Sequence, residues 1–328
     1  MKNSLSAHNE RVYSYIPDAK DMKIIKCLCD NARLPYSKIG SQTRISKDRV
    51  RERLKNLEKE LFILSYTPLI NYRALGYRLY HVYLRLNKSL SSKDRFIVRL
   101  KNHEKVVALT RIAGKWDLEI QVLGKNKSEL SGLLAQLGIK PRIEVSEMEV
   151  IEAKDMHLYS MRVEYFKISK EIIKAEDSAP KSKPNVDALD LKILKVLAAN
   201  AREKIIEIAC ICKTKEDVVR YRIKNLIKNK IILGFYVRTN KHRFGLTSYI
   251  LKLSLKNKFY KDLISLEKLQ NVYYMRSFKG KCNLIICFSA KNNTELVDTL
   301  DFMKDCFDKN LINFELLILL DRYKFLSF

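Results

Sequence analysis

Nine glycines and six prolines in 328 residues leave little room for glycine-rich phosphate loops. Neither a P-loop nor a Rossmann glycine pattern can be read. Histidine is scarcer still: the five are scattered, none is paired at ligand spacing, and no Ser–His–Asp set can be assembled. Seven cysteines is an odd count in a long chain. Cys27-Leu28-Cys29 and Cys210-Ile211-Cys212 lie inside apolar helical patterns, whereas structural zinc asks for C-x2-4-C pairs with matching partners. They read as buried reduced thiols, so no metal, cofactor or catalytic residue is expected. No apolar run approaches the ~18 residues that span a bilayer; Leu316 to Leu320 is typical of the longest. Met1 to Pro17 carries His8, Glu10 and Arg11 where a signal peptide needs an apolar core. These absences lead to the expectation of a cytoplasmic protein.

Acidic residues are also in deficit: 37 Asp+Glu face 63 Lys+Arg, a net charge of +26. That excess calls for an anionic partner, nucleic acid or an acidic membrane surface. It is evenly distributed, with 32 basic and 19 acidic residues over 1–169 and 31 and 18 over 170–328. No basic tail has been added to a neutral body.

The even split reflects an internal duplication. A shift of 169 aligns Asp18–Leu86 with Asp187–Leu255 without a gap, and 26 of those 69 positions are identical. Asn31-Ala32-Arg33 repeats as Asn200-Ala201-Arg202, and Arg51-x-Arg53-x-Lys55-Asn56-Leu57 as Arg220-x-Arg222-x-Lys224-Asn225-Leu226. Past a three-residue deletion the offset becomes 166, pairing Gly114-Lys115 with Gly280-Lys281 and Glu129-Leu130 with Glu295-Leu296. The join, Lys174 to Val186, holds Pro180 and Pro184 among Asp, Ser and Lys and reads as a solvated linker.

Each copy opens with three helices. Ala19 to Asp30 spaces Met22, Ile25, Leu28 and Cys29 helically, a short helix follows Pro35, and Ser46 caps a third that runs to about Glu60. Phe62 to Asn71 then reads as a hairpin, completing a winged helix-turn-helix outline. The back half reads strand (Tyr77–Leu86), helix (Lys93–Lys101), strand (Lys105–Ala113), strand (Trp116–Leu123), helix (Asn126–Leu137), strand (Arg142–Ile151), the ferredoxin-like βαββαβ order. Met156 to Phe166 fits an extra strand or a helix extension. The expected α+β organisation is a polar tail at 1–17, a winged helix-turn-helix at 18–72, a ferredoxin-like sandwich at 73–166 and a linker at 167–186. A second winged helix-turn-helix follows at 187–241 and a second sandwich at 242–328.

The third helix concentrates the charge. Val50, Leu54 and Leu57 form its buried stripe, while Lys47, Arg51, Lys55 and Lys59 run along the open side with Arg49 and Arg53 on the other flank. In the second copy Val219, Ile223 and Leu226 are buried. Glu216, Arg220, Lys224 and Lys228 form the open line, with Arg222 on the flank and Tyr221 in place of Glu52. A helix backed by a core and fronted by cations fits a major groove about 12 Å wide. Ser46, Lys47, Arg49, Arg51, Arg53, Lys55 and Lys59, with Lys215, Arg220, Tyr221, Arg222, Lys224 and Lys228, are the expected contacts to double-stranded DNA. Glu216 and Asp217 suit a helix N-terminus but repel phosphate there.

Both copies resemble the Lrp/AsnC family of prokaryotic transcription regulators. The resemblance rests on Asp18-x-x-Asp21-x-Lys23-Ile24-Ile25, Asn31-Ala32-Arg33, Ser46-x-x-x-Val50-x-x-Arg53-Leu54-x-x-Leu57-Glu58, Ile63-Leu64-x-Tyr66, Leu75-Gly76-Tyr77 and Gly114-x-Trp116-Asp117-Leu118. It covers about 18–153 and 187–320. It implies a winged helix-turn-helix followed by a sandwich that self-associates and often binds amino acids between subunits, which makes Gly114, Trp116 and Asp117 candidate effector residues. Leu61 and Lys230 replace the family's glycine after the recognition helix, so that end is expected to close differently. Arg44 and Lys213 replace the glycine of the turn, and Cys282 and Asn283 replace Trp116 and Asp117 in the second copy.

The expected function is sequence-specific DNA binding in transcription regulation, chromosome-associated and open to modulation by a small effector. The sandwiches are expected to pair within one chain or between chains, bringing recognition helices together in twos. Two rivals stand beside this reading. Fused AsnC-like pairs also occur as siroheme decarboxylases, but neither hairpin here carries a histidine. A low-specificity architectural chromatin protein fits the even charge.

Overall fold

A computed structural model describes residues 15–87, 94–139, 145–158, 173–175, 185–256, 266, 269 and 271–325. Residues 1–14 of the polar tail, most of the 167–186 linker and the part of the Met156–Phe166 segment from 159 onward lie outside them. So does most of 257–270, where the second copy's first sandwich helix is expected.

Helix α1 (Ala19–Asp30) begins at a reciprocal capping box, in which the Asp18 carboxylate accepts the Asp21 N–H and Asp21 accepts that of Asp18. It buries Ile24, Ile25 and Leu28 against α2 (Tyr36–Thr43) and α3 (Lys47–Lys59). The second copy repeats the box with Asp187 and Asp190 on α6 (Ala188–Ala199), ahead of α7 (Ile205–Cys212) and α8 (Glu216–Lys228). The ends of these helices correct one expectation. Leu61 and Lys230 close α3 and α8 in the left-handed region, at φ 58° and 54°. The Phe62 N–H reaches Leu57 O and the Ile231 N–H reaches Leu226 O, both at 2.9 Å. Arg44 and Lys213 occupy the same region at φ 59° and 54°. The closure a glycine makes is kept, and side-chain strain is accepted in its place.

The expected hairpin over Phe62–Asn71 is instead one strand, β1 (Ile63–Ile70). Its antiparallel partner is the equivalent strand of the other copy, β7 (Ile232–Thr239). The linkage is pseudo-two-fold. The Asn71 N–H donates to Ile231 O and that of Asn240 to Phe62 O, while the Ala32 N–H donates to Phe235 O and that of Ala201 to Tyr66 O.

The back half of the first copy is β2 (Arg78–Leu86), α4 (Arg95–Asn102), β3 (Val106–Ala113), β4 (Leu118–Gly124), α5 (Lys127–Gln136) and β5 (Val145–Leu158), which runs further than expected and pairs at its end with β6 (Ile173–Ala175). The second contributes β8 (Thr247–Leu255), β9 (Val272–Lys279), β10 (Leu284–Ala290), α9 (Asn293–Phe307) and β11 (Leu311–Phe325). The two sheets join at both seams: β11 pairs with β3, and β5 pairs with β9. The order β5-β2-β4-β3-β11-β8-β10-β9 therefore returns to β5, a closed ring of eight antiparallel strands. The sandwiches pair within one chain. Helices α4 and α5 cover one half of the ring from outside and α9 the other. On β2, β4, β8 and β10 most inward-facing residues are buried along with the outward-facing ones, which encloses His81, Glu119 and Lys252 despite their polarity, while β5 and β11 keep exposed residues such as Val150 and Ile318.

Candidate nucleic-acid interface

The Ser46 hydroxyl accepts the Arg49 N–H at the start of α3, and Val50, Leu54 and Leu57 fix its inner face. Lys47, Arg49, Arg51, Lys55 and Lys59 are all exposed, with no ion-pair partner among the described residues. Five cations with unengaged heads on a helix held from behind form a surface that neutralises phosphates and reaches base edges. Arg53 departs from the expected set. Its guanidinium lies 2.9 Å from both Asp18 and Asp21, and the Asp21 carboxylate is 1% exposed and also accepts the Tyr15 hydroxyl. The two acids raise the Arg53 pKa, with the Asp21 bond the largest cause, and the Arg53 bond helps to hold the Asp18 carboxyl below its ordinary range. Arg53 therefore ties α3 to the start of α1 and does not belong with the outward-facing cations.

On α8, Arg222 repeats this tie, 2.6 Å from Asp187 and 3.2 Å from Asp190. Lys215, Tyr221, Lys224 and Lys228 are exposed, but Arg220 pairs with Glu216 at 3.1 Å, and Lys215 makes no side-chain cap bond. The second open face is thus partly neutralised by its own acid.

The two units are held by more than β1 and β7. Arg33 donates to Ala201 O and, at 3.2 Å, to Glu203 O; Arg202 donates to Ala32 O at 2.5 Å and Leu34 O at 3.1 Å. Each guanidinium also packs over an aromatic ring of the other copy, Arg33 on Phe235 and Arg202 on Tyr36 and Tyr66. Burial and the neighbouring Arg202 pull the Arg33 pKa down. The NAR motif is thereby explained: asparagine ends the first helix and arginine locks the two units together.

The expected effector residues separate. Trp116 is 1% exposed, 6.2 Å from the Tyr83 ring and 5.3 Å from Lys252 Nζ, and does not line the cleft that Gly114 and Asp117 border. Gly114 turns the β3–β4 hairpin at φ 128°, and an added Cβ there would meet the Leu317 side chain at 2.9 Å. The Asp117 carboxylate accepts the Leu86 N–H at 2.7 Å. Gly114 and Asp117 border a cleft of about 390 Å³ whose walls include Asn87 and Arg111 from the first copy and Leu320 and Tyr323 from the second. In the second hairpin Asn283 exchanges two hydrogen bonds with the Leu255 backbone, at 3.0 and 2.7 Å, and Cys282 is buried. Among the described residues no cluster of three or more His, Cys, Asp or Glu is arranged to hold a metal, and no helix is long and apolar enough to cross a membrane.

Residues 18–58 match the AsnC-type helix-turn-helix domain. The chain is 24% identical over 134 residues to the HTH-type transcriptional regulator FL11 of Pyrococcus abyssi, spanning 41% of this chain and 88% of that one. It is 29% identical over 133 residues to the HTH-type transcriptional regulator Ptr1 of Methanocaldococcus jannaschii, covering 40% of this chain and 88% of the relative. The chain is thus similar to Lrp/AsnC transcription regulators, most directly through its AsnC-type helix-turn-helix domain.

A crystal structure of the siroheme decarboxylase NirDL superposes on 94% of this chain and 94% of its own, with TM-score 0.62 at 11% identity. That likeness shows a shared fold over the whole tandem and nothing further. Sequence reasoning missed the locking role of Arg33 and Arg202 and the charged interior of the ring. Exact repetition of Asn-Ala-Arg was the available signal for the first; the second left none, because alternation does not reveal that both strand faces are covered.

Proposed function

We propose that the chain is a DNA-binding transcription regulator of the Lrp/AsnC type that acts as a dimer in one polypeptide. The observation that carries this is the unengaged basic row of α3, Lys47, Arg51, Lys55 and Lys59 with Arg49 beside it, on a helix whose partner unit is fixed relative to it. α3 enters a major groove and supplies the dominant contacts. α8, with Arg220 already paired to Glu216, reads a non-identical half-site, near ~34 Å or a multiple away. An amino acid or similar small effector occupies the cleft beside Gly114 and Asp117, its ammonium group meeting Asp117 and its carboxylate Arg111.

The test is DNA binding by anisotropy on sites selected from a random pool, as a function of salt. A regulator keeps a large gap between selected and random DNA, while log K falls by ~0.9 per neutralised phosphate on both. Arg51→Ala with Lys55→Ala removes two phosphate or base contacts and lowers affinity by at least tenfold. Equal affinity for all DNAs would favour an architectural role. Carbon dioxide release from siroheme under anaerobic conditions would replace the regulator reading with an enzymatic one.

A further inference from the structure

The end of the ring that faces the β1–β7 pair is rich in arginine and phenol groups and poor in carboxylate. Arg322 and Phe325 come from β11, Tyr274 from β9, and Tyr236 and Arg238 from β7. Both guanidiniums pack on the Phe325 ring, that of Arg238 at 5.0 Å and that of Arg322 at 4.8 Å, with the Tyr236 ring edge-on at 6.3 Å. Neither arginine has an ion-pair partner among the described residues, and Arg238 Nε is buried without any hydrogen bond. Glu119, a carboxylate inside the ring that is close enough to feel Arg322, is already committed to His81 Nδ1 at 2.7 Å and to Gln121 at 3.3 Å.

Such an arrangement is costly. Desolvation and the neighbouring Arg322 together push the Arg238 pKa down to about 10. Buried charges are normally paired, because an uncompensated cation removed from water loses hydration with nothing in return. Cation–π contact with one shared ring offsets part of that loss and leaves every N–H of the two forks without an acceptor of matching charge. The duplication supplies an internal control. The positions equivalent to Arg238 and Arg322 are Leu69 and Met156, both uncharged. The fold therefore does not need cations at these two positions, although the related end holds an arginine of its own, Arg276, in register with Met156.

We propose that Arg238 and Arg322, flanked by the Tyr236 phenol, form a binding site for a small oxyanion at the junction between the ring and the paired β1–β7 strands. A tetrahedral phosphate or sulfate, or the carboxylate of an organic acid, presents acceptor oxygens to both forks and relieves their mutual repulsion. This site is distinct from the cleft beside Gly114 and Asp117, and it does not depend on the DNA-binding reading. Its position matters, because an anion held there ties the end of β11 to β7, the strand that follows α8.

The experiment is thermal denaturation at constant ionic strength and pH 7.5, with sodium chloride replaced stepwise by phosphate, by sulfate or by the dicarboxylate succinate. The wild-type chain is compared with Arg238→Leu/Arg322→Met, which installs the residues of the other copy. Stabilisation of the wild type by at least 3 °C at 10 mM oxyanion, lost in the variant, is the expected result. A response to phosphate and sulfate identifies an inorganic occupant, and a response to succinate alone identifies an organic carboxylate; both support the site. The variant should also melt at or above the wild type in chloride, since it removes two neighbouring cations that have no ion-pair partner among the described residues. Should it fold poorly, Arg238→Gln alone, titrated with phosphate by calorimetry, gives the same reading through loss of bound heat. Equal stabilisation of wild type and variant by every oxyanion, or none in either, overturns the proposal.

Discussion

Arg53→Met separates structure from DNA recognition on a single helix. The substitution keeps an apolar stem of similar reach and deletes the donor that lies 2.9 Å from both Asp18 and Asp21. Asp21 then stays buried, at 1% exposure, with the Tyr15 hydroxyl and the Asp18 N–H as its remaining partners. Breaking a fully buried pair by removing one partner costs about 3–5 kcal/mol, and a hydrogen bond to a charged group about 1.5–3 kcal/mol. The Arg53 side chain is 24% exposed and Asp21 keeps two donors, so the lower range applies, and a loss of about 2 kcal/mol is expected. At roughly 2 °C per kcal/mol for a large domain, the melting temperature falls by about 4 °C. DNA affinity of the folded protein changes less than about threefold, because this guanidinium is turned inward. Arg51→Ala shows the converse: unchanged melting and weakened binding. Adding Asp21→Asn to Arg53→Met recovers much of the lost stability, since the orphaned charge is gone. Differential scanning fluorimetry and anisotropy on the same samples decide the matter. A tenfold loss of DNA affinity with intact melting would refute the assignment of Arg53 to the α1–α3 tie.

Three further outcomes follow from the geometry. Leu61→Gly relieves a left-handed side chain at φ 58° and, after the entropy glycine adds to the unfolded chain, stabilises by about 0.5–1 kcal/mol in urea denaturation. Trp116, the sole tryptophan, emits at short wavelength and is insensitive to aqueous quenchers, and Trp116→Ala costs about 3–5 kcal/mol as a core truncation; a quenchable, red-shifted spectrum would return Trp116 to the cleft. Burial holds the His81 pKa below its ordinary 6.5, so the unfolded chain takes up that proton first and stability declines as pH falls below about 6.5. Asp18, Asp187 and Glu119 have lowered pKa values, so their contributions persist above about pH 4.5 and are lost as pH falls through the folded values. Urea midpoints between pH 2 and 8 should therefore show two descents, and a midpoint flat from pH 7 to 5 would contradict the buried neutral imidazole.

Local signals carried well from sequence to structure. Asp18 with Asp21, and Ser46, mark helix starts because caps act within three residues, and the expected first helix, Ala19–Asp30, has the same bounds in the fold. The βαββαβ order was legible from changes in period. What failed was everything set by distant partners. Phe62–Asn71 has strand-forming residues, but its partner lies 169 positions away in the other copy, so a hairpin was the wrong completion. The helical wheel placed Arg53 on a flank without showing that the start of α1 occupies that flank. Glycine was taken as the mark of left-handed closure, yet Leu61, Lys230, Arg44 and Lys213 adopt it where tertiary packing compels them. In the candidate site, the exposed line of α3 was readable because it follows from one helix and one core. The division between Trp116 and Asp117 was not, since both lie in the short connection ahead of β4 and only closure of the ring decides which side of it is dry.

The exchange of Arg33 and Arg202 across the β1–β7 pair, together with both seams of the ring, takes place between segments of one polypeptide. Assembly is then an intramolecular event, governed by linker length rather than by encounter of separate molecules. A regulator made of single-unit chains falls apart when diluted below its dissociation constant. This chain keeps its two reading heads coupled at any copy number, down to one molecule in a cell.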